Sequence, residues 1–391
     1  MSRASTQAHG RSRGALPVDG AVLLAGLFLL GLGVVMSYSA TAPLAIQDRI
    51  PPLFVKHVAA AAGGIAVAAL AIAVPLAIWR WLALPLWCAG AALLVATAAF
   101  GVEVNGAQRW LAVPFLDFRF QPVEITKLTT LLAVAAVVAP RDGHRELSVR
   151  RAAVAAGLTL PLVVLLLFQP DLGSAVLLAG LVGLVLVAAG TPLRQLALPA
   201  LATPLAIGLY AWTHPYAWRR LVVFRDPWSQ YEEGGFQLVQ SIVAFNEGGF
   251  SGVGLGDGRQ KLFYLPEAHT DFILSLVAEE LGLIGVLAVL GAFVALVIAG
   301  TRIARSARDR FGLLVAFGMT GLLAVPAMVN AAVVMGLLPT KGLTLPFLSY
   351  GRTSLVVCCF AAGLLLAIGR DGTRGARGTQ SGSRRRSGQR S

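Results

Sequence analysis

The sequence predicts an all-α polytopic membrane protein, a bundle of about ten transmembrane helices with a large outer loop between spans seven and eight. The chain of 391 residues is 57% hydrophobic and only 13% charged, whereas a soluble domain carries about 25% charged residues. Apolar stretches long enough to cross a bilayer recur along the whole chain. Basic residues are concentrated in alternate connections between these stretches, which gives the bundle an orientation.

The apolar stretches define the predicted spans, of which the fourth and fifth are short. They lie at 20–40, 53–75, 78–100, 122–139, 152–168, 172–190, 193–213, 271–300, 311–336 and 346–369. Together they form one membrane domain, residues 18–370. A short N-terminal tail (1–17) precedes it and a basic tail (371–391) follows it.

The distribution of arginine predicts that both termini lie in the cytoplasm. With the N-terminus inside, the arginines at 150–151, at 302–310 and from Arg370 onward all fall on the inner side. Only an even number of spans places both basic termini inside, which supports ten. The net charge of +13 follows from this topology, so no nucleic-acid partner is expected. The tail 371–391 is predicted to be disordered and to rest near anionic lipid headgroups.

The polar material that can build a site lies in the outer connections, at 101–121, 214–270 and 337–346. Within the longest of these, residues 237–245 are predicted to form a short amphipathic helix that the following glycines end. The aromatic residues of this loop fit an interfacial belt, and a substrate-contacting lid remains the alternative.

Five polar clusters lie at the outer ends of different predicted spans. They are residues 105–110, 121–127, 169–173, 261–271 and 338–352. Because they share one membrane level, they predict a common cavity that opens outward.

Some members of these clusters also have a purely structural interpretation. Glu124 and Lys127 share one helix face and can neutralise each other in the membrane. Asp171 follows Pro170 at a helix start, where a carboxylate can cap the helix. Arg109 beside Trp110 can be an ordinary interface anchor.

Asp271 is the strongest candidate for a catalytic residue. It stands where a polar loop enters a long apolar helix, and Glu267 and His269 flank it. A carboxylate at a membrane boundary is costly to desolvate, so its presence indicates function. Asp271 could cap the helix, yet Thr270 could do so at lower cost. A partly desolvated carboxylate has a raised pKa and can act as a general base.

Several cations accompany this base beside apolar walls; they are Arg109, Lys127, Lys341 and Arg352. The combination suits a lipid-linked diphosphate, with its tail in the bilayer and the diphosphate among the cations, which would stabilise charge on a leaving group. We expect Glu124, Glu267, His269 and Ser349 to complete the substrate contacts. A divalent metal could assist, although the sequence has no dedicated metal cage and suggests no organic cofactor.

Five of these stretches resemble the SEDS family, the membrane glycosyltransferases of shape, elongation, division and sporulation. They are Asn-Gly-Ala-Gln-Arg-Trp from 105, Gln-Pro-Val-Glu-Ile-Thr-Lys from 121, Gln-Pro-Asp-Leu-Gly from 169, Tyr-Leu-Pro-Glu-Ala-His-Thr-Asp-Phe-Ile from 264 and Gly-Leu-Leu-Pro-Thr-Lys-Gly-Leu from 336. The resemblance covers almost all of residues 18–370. The stretches from 264 and 336 resemble the division member of the family more than the elongation member.

The resemblance implies polymerisation of lipid II into glycan strands on the outer face of the bacterial cytoplasmic membrane, at the division septum. It implies an undecaprenyl-diphosphate-linked glycan as second substrate, a class B penicillin-binding transpeptidase and other division proteins as partners, and support by Mg²⁺ or Mn²⁺. The essential aspartate of the family maps onto Asp271, and its Glu/Lys pair maps onto Glu124 and Lys127. Arg352 replaces a small residue of the family, where it could contact a diphosphate or obstruct the site.

Three functions are therefore compared. In an inverting glycosyltransferase, Asp271 takes the proton from the acceptor sugar and Arg109, Lys127 and Lys341 bind diphosphates. A flippase for the same lipid needs the cations but no base, and it predicts polar groups toward the inner face, of which the sequence has few beyond Glu280. A noncatalytic division scaffold would leave Asp271 dispensable.

Overall fold

The computed structural model describes residues 18–44, 49–104, 107–113, 118–139, 149–192 and 215–387, together with single positions between 194 and 213. These residues form a mostly helical protein. In chain order the helices are α1 (Val18–Thr41), α2 (Pro52–Ala73), α3 (Leu76–Phe100), α4 (Pro122–Val138), α5 (Val149–Phe168), α6 (Leu172–Ala188), α7 (Pro215–Arg225), α8 (Phe236–Gly248), α9 (Ile273–Ser306), α10 (Arg310–Val334) and α11 (Arg352–Ser387).

Seven helices of the described part are long and apolar enough to cross a membrane, so the chain is an integral membrane protein. They are α1, α2, α3, α5, α9, α10 and the part of α11 that ends at Gly372. Helices α4 and α6 coincide with the fourth and sixth predicted spans but have only 17 residues each. The seventh predicted span, 193–213, lies largely outside the described residues.

Helices α4 and α10 form the centre of the bundle. In the most apolar stretch of α10, 72% of the residues are buried, against 17% in α2 and 22% in α3 and α5. Helix α4 buries most of its side chains and packs against α3, α6, α10 and α11. The apolar side chains that α2, α3 and α5 leave uncovered are those that a helix presents to lipid tails.

The all-α prediction misses a small antiparallel sheet in the connection between α3 and α4. Strands β1 (Val102–Val104), β2 (Ala107–Val113) and β3 (Phe118–Phe120) lie in the order β1-β2-β3. Leu111 of β2 is paired with Phe120 of β3. The two outer strands have only 3 residues each, which is too short for an alternating pattern to stand out in the sequence.

The long loop, residues 214–270, is largely helical in its described part. Helix α8 confirms the predicted amphipathic helix, since it buries Leu238, Val239 and Ala244. It ends where Gly249 adopts a φ of 51°, a left-handed conformation that favours glycine. The other helical segments of its described part are helix α7 and two single helical turns, Tyr231–Gly235 and Gln260–Tyr264.

Helix α9 is interrupted at Gly282, whose φ of 65° and ψ of −163° are not helical. The eighth predicted span therefore consists of two segments, 273–281 and 283–306. A side chain at position 282 would also meet the carbonyl oxygen of Phe250 at 2.6 Å. Both the backbone angle and the close approach of the long loop therefore require glycine.

Helix α11 begins later and ends later than predicted. Residues 346–350, placed in the tenth span by their hydrophobicity, are not helical, and Phe347 has a φ of 67°. The helix begins at Arg352 and continues to Ser387, so the tail for which disorder is predicted has a helical backbone as far as that residue. No proline interrupts 371–387, so helical geometry is sterically allowed there.

Candidate active site

The position of Asp271 is set by a buried amide on α10. Asn330, 1% exposed, donates one hydrogen bond from Nδ2 to the carbonyl oxygen of Asp271 at 2.7 Å and another to that of Leu343 at 2.6 Å. The segment that enters α9 and the segment that follows α10 are thereby held side by side. Because such bonds in a buried site are costly to lose, Asp271 has a fixed backbone position.

The Asp271 carboxyl is desolvated, and burial raises its pKa to about 7, with the nearby Glu267 carboxylate raising it further and the Arg220 guanidinium opposing both. Asp271 does not cap α9: the capping position is Phe272, and among the described residues no side chain bonds to this helix end. A carboxyl with a pKa near neutrality that is free of a capping role is suited to general-base chemistry.

A cluster of cations converges on Lys341, which lies in the segment after α10. Its side chain passes directly over Gly173 at the start of α6. Burial lowers the pKa of Lys341 to about 8, while the carboxylate of Asp171 opposes this shift and Lys127 reinforces it. Arg109 also interacts with Lys341, and its guanidinium donates a hydrogen bond to the carbonyl oxygen of Pro170. We call Arg109, Lys127 and Lys341 the cation cluster.

Two carboxylates, Glu124 and Asp171, lie next to this cluster, and each already has a partner. Glu124 pairs with Lys127 at 2.8 Å, and their side chains are 13% and 3% exposed. This geometry agrees with the structural interpretation of that pair, yet both residues also line a small cavity with Leu343, Thr344 and Ser354. Asp171 accepts a hydrogen bond from the backbone N–H of Ser174 at 3.1 Å, which confirms its predicted capping role.

The cation cluster and Asp271 are joined through the dipeptide of Lys341 and Gly342. A Cβ at position 342 would lie 2.8 Å from Oδ2 of Asp271. The Asp271 carboxylate therefore packs against the backbone of Gly342, while the side chain of Lys341 reaches the other cations. The segment of Lys341 and Gly342 therefore contacts both the carboxylate and the start of α6.

Glu267 and His269 lie on the tight turn that precedes Asp271. Glu267 is exposed, has a φ of 55° and accepts a hydrogen bond from the Thr270 hydroxyl at 2.8 Å. The carbonyl oxygen of His269 accepts a bond from Tyr350 N–H at 2.8 Å, and the two rings lie 5.7 Å apart. Burial lowers the pKa of His269, with Glu267 opposing the shift.

The remaining predicted site residues, Ser349 and Arg352, contact other parts of the protein. Ser349 is 3% exposed, and its hydroxyl accepts a hydrogen bond from Leu345 N–H at 2.7 Å, within its own turn. The Arg352 guanidinium lies 4.6 Å from the centre of the Phe118 ring and donates to the carbonyl oxygen of Arg119 at 3.4 Å. Asn105 and Gly106 lie outside the described residues.

Sequence reasoning missed three residues that shape the site: Asn330, Gly342 and Arg220. A lone amide in an apolar helix is a signal that could have identified Asn330. Arg220 on α7 donates a hydrogen bond to the carbonyl oxygen of Thr340 at 3.0 Å and interacts with Asp271. Its place in a long loop gave no indication that it meets the segment after α10.

A resident metal does not fit the carboxylates of the site. In the part of the chain that the structure describes, no three His, Cys, Asp or Glu side chains come together to hold a metal ion. Glu124 and Asp171, which interact with Lys341, already bind a lysine and a helix end. A divalent cation would therefore depend on oxygens of a bound diphosphate, as Mg²⁺ commonly does.

Fold and site together define a polytopic helical membrane protein with a desolvated carboxylate and a cation cluster at the predicted outer end of the bundle. The family described as "Cell cycle protein", which groups FtsW, RodA and SpoVE, matches residues 21–373. The chain belongs to this family.

Relatives at about two-fifths identity carry one name, "Probable peptidoglycan glycosyltransferase FtsW". The protein of Geobacter metallireducens is 41% identical over 355 residues, which cover 90% of this chain and 94% of the relative. That of Pseudomonas fluorescens is 39% identical and covers 88% of this chain and 86% of the relative.

Solved structures show the same fold. A chain from a peptidoglycan synthase complex, described as coordinating polymerization and crosslinking, has a TM-score of 0.75 at 30% identity, covering 92% of this chain and 99% of that one. The rod shape determining protein RodA of Thermus thermophilus has a TM-score of 0.66 at 29% identity, covering 90% and 96%.

Proposed function

We propose that this protein is a peptidoglycan glycosyltransferase that polymerises lipid II into glycan strands on the outer face of the bacterial cytoplasmic membrane. The observation that carries the proposal is the desolvated Asp271 carboxyl packed against Gly342, next to Lys341 of the cation cluster. A candidate base and a candidate diphosphate-binding lysine thus meet the same short segment, 341–342. The names of the relatives support the same activity.

The reaction that suits this geometry is a single inverting displacement. Asp271 takes the proton from the 4-hydroxyl of the acceptor sugar as that oxygen attacks C1 of the growing strand. The bond between C1 and the phosphate oxygen breaks, and undecaprenyl diphosphate leaves with the electron pair. With a pKa near 7, Asp271 is both sufficiently ionised at neutral pH and sufficiently basic to accept the proton.

The cation cluster would bind the diphosphate and stabilise the charge that develops on it as it leaves. In a desolvated site, groups already aimed at developing charge need no reorganisation during the reaction. Glu124 holds Lys127 through the 2.8 Å pair, which directs the ammonium group. A bound diphosphate would also restore the pKa of Lys341 toward its ordinary value, since opposite charge favours the protonated form.

A divalent cation, Mg²⁺ or Mn²⁺, remains part of the proposal as a companion of the diphosphate. When bound it would neutralise diphosphate charge. Because Asp171 and Glu124 already bind a helix end and Lys127, the ligands of such a cation would come from the substrate and from water.

The cellular setting is proposed from the family. We propose ten spans with both termini in the cytoplasm, a place at the division septum and a class B penicillin-binding transpeptidase as partner, together with other division proteins. A solved neighbour from a peptidoglycan synthase complex supports such a partner. The motifs resemble FtsW more than RodA, which favours division over elongation.

The test is a polymerisation assay with the purified protein, its transpeptidase partner and lipid II. Asp271→Ala should abolish polymer formation, whereas Glu232→Gln, which changes an exposed acid of the same long loop, should not. Labelled-lipid translocation in liposomes is measured in parallel. Polymerisation by Asp271→Ala at the wild-type rate would exclude the mechanism, and translocation without polymerisation would favour a flippase.

A further inference from the structure

A second buried polar cluster surrounds Glu280, outside the cation cluster. The Glu280 side chain is fully buried and accepts hydrogen bonds from the Ser39 hydroxyl at 2.6 Å, from Lys261 Nζ at 2.8 Å and from Gly256 N–H at 3.1 Å. Lys261 also donates to the Ser39 hydroxyl at 2.9 Å and to the Gly256 carbonyl oxygen at 2.6 Å. The pair therefore ties together α1, the long loop and α9.

The long loop is bound to the same part of α9 through its backbone. Val253 N–H donates to the carbonyl oxygen of Glu279 at 2.9 Å, and Leu283 N–H donates to that of Gly249 at 2.9 Å. The Glu279 carboxylate accepts bonds from the N–H groups of Arg259 at 2.6 Å and Gln260 at 3.2 Å. The bonds of Val253 and Leu283 satisfy backbone groups that the break at Gly282 would otherwise leave unpaired.

The ion pair closes a loop that contains the candidate base. Lys261 and Glu280 are 19 positions apart in sequence, and Asp271 lies midway between them. The chain from one to the other consists of a turn, the segment with Asp271 and the helical residues 273–280. Fixing both ends of a segment reduces the positions that its middle can occupy.

The chemistry of the pair suits positioning better than stabilisation alone. The lysine side chain is 7% exposed and the glutamate 0%. A buried ion pair gains little over an apolar pair of the same size, because desolvation offsets the attraction. Its hydrogen bonds are directional, however, and both ends are also held by Ser39 and Gly256. An apolar contact would let the Lys261 segment slide along α9, whereas these directional bonds hold it in one position.

We propose that Lys261 and Glu280 are a positioning pair for Asp271, which fixes the carboxylate at its distance from the cation cluster by closing the loop that carries it. This inference rests on the proposed function. Both side chains are buried and bonded within the protein, so loss of the pair should slow the chemical step and leave lipid II binding intact. Displacement of a catalytic group by about 1 Å can cost about 100-fold in rate.

The test compares three variants of the full protein in the polymerisation assay. Lys261→Met with Glu280→Met removes both charges together, which avoids leaving one buried charge unpaired. We expect kcat to fall roughly 10- to 100-fold, with KM within about two-fold of wild type. Lys261→Arg should keep most of the rate because it retains the charge. Arg259→Met, at an exposed cation of the same loop, is the matched control and should match wild type.

Thermal unfolding and hydrogen exchange of residues 261–271 accompany the kinetics. Faster exchange in this segment with an unchanged melting temperature, together with the lower kcat, would support the positioning pair. Should the double variant fold poorly, Ser39→Ala, which removes only one hydroxyl, should still lower kcat two- to five-fold by a rough estimate. A folded double variant, or a folded Ser39→Ala variant in its place, with wild-type kcat overturns the proposal.

The Asp271→Ala variant separates this proposal from the function on which it rests. If Asp271→Ala is inactive and the double variant is as fast as wild type, only the positioning pair is wrong. If Asp271→Ala polymerises as fast as wild type, the proposed mechanism falls, and the positioning pair falls with it.

Discussion

Gly342 packs directly against the carboxylate of Asp271. A methyl group at position 342 would lie 2.8 Å from Oδ2 and 3.7 Å from Cγ of the aspartate. The residue before this glycine, Lys341, reaches the cation cluster. The absence of a side chain at position 342 therefore allows the carboxylate to lie against the segment that also carries Lys341.

Gly342→Ala is expected to lower kcat roughly ten-fold, because the Asp271 carboxylate must move by a fraction of an ångström to admit the methyl group. Substrate binding should change little, since the cations keep their places. The polymerisation assay measures both parameters. Gly291→Ala, where an added Cβ meets nothing within 4 Å, is the matched control, and equal rates for the two variants would show that the contact with Asp271 is unimportant.

Gly173→Ala tests the other end of the same arrangement. An added Cβ would overlap Cε and Nζ of Lys341, so the ammonium group must leave its place over the start of α6. We expect weaker lipid II binding, seen as a several-fold higher KM. Gly180→Ala on the same helix meets nothing within 4 Å and should leave KM unchanged. An unchanged KM in Gly173→Ala would remove Lys341 from the binding site.

The pH dependence of polymerisation should report the ionisation of Asp271. Burial and Glu267 raise the pKa of this carboxyl to about 7, and Arg220 opposes them. A general base must be deprotonated, so kcat/KM should fall as the pH drops through about 7.

Removing the two neighbouring charges, one at a time, should shift this fall in kcat/KM, the acid limb of the pH profile, in opposite directions. Arg220→Gln removes a positive charge that favours the carboxylate, so the limb should move to higher pH. Glu267→Gln removes a negative charge that disfavours it, so the limb should move to lower pH. The same direction of shift in both variants would mean that another group titrates.

Arg352 contacts strand β3 in the structure. Its guanidinium stacks on Phe118 and bonds to the Arg119 carbonyl oxygen, and the neighbouring Thr353 hydroxyl accepts a bond from Gln121 N–H at 3.1 Å. Arg352→Ser should lower the free energy of unfolding by about 0.5–1 kcal/mol, the size of an exposed cation–π contact. Thermal unfolding measures this loss, and a large increase in the KM for lipid II would instead indicate a diphosphate contact.

The sequence predicted the parts of the fold that depend on local composition. Long apolar stretches identified the helices, and polar residues at their ends identified Asp271, Lys127, Lys341 and Arg109, which the structure brings together. Hydrophobicity alone, however, placed residues 346–350 in a helix, although they form a turn that Ser349 stabilises by accepting a hydrogen bond from Leu345 N–H. Such local bonds to the backbone compete with regular structure.

Other features depend on contacts between distant segments, which composition does not encode. From the sequence, Gly282 reads as one more glycine inside a helix. In the structure, residues 249–250 of the long loop pack against it. The Lys261–Glu280 pair depends on this docking too. The bonds of Asn330 go to backbone carbonyl oxygens, so no partner side chain in the sequence could have revealed them.

Asn330→Ala should destabilise the protein and slow polymerisation together, because two backbone carbonyl oxygens lose their donor. A buried polar group left without its partner costs about 1–3 kcal/mol, so thermal unfolding should show a clear loss. Thr320→Ala on the same helix is the matched control. Its buried hydroxyl bonds to the carbonyl oxygen of Ala316 within α10, so its loss should leave the rate unchanged. Asn330→Asp should be at least as harmful as Asn330→Ala, because a carboxylate cannot donate these bonds. Full activity in Asn330→Asp would mean that Asp271 keeps its position without this amide.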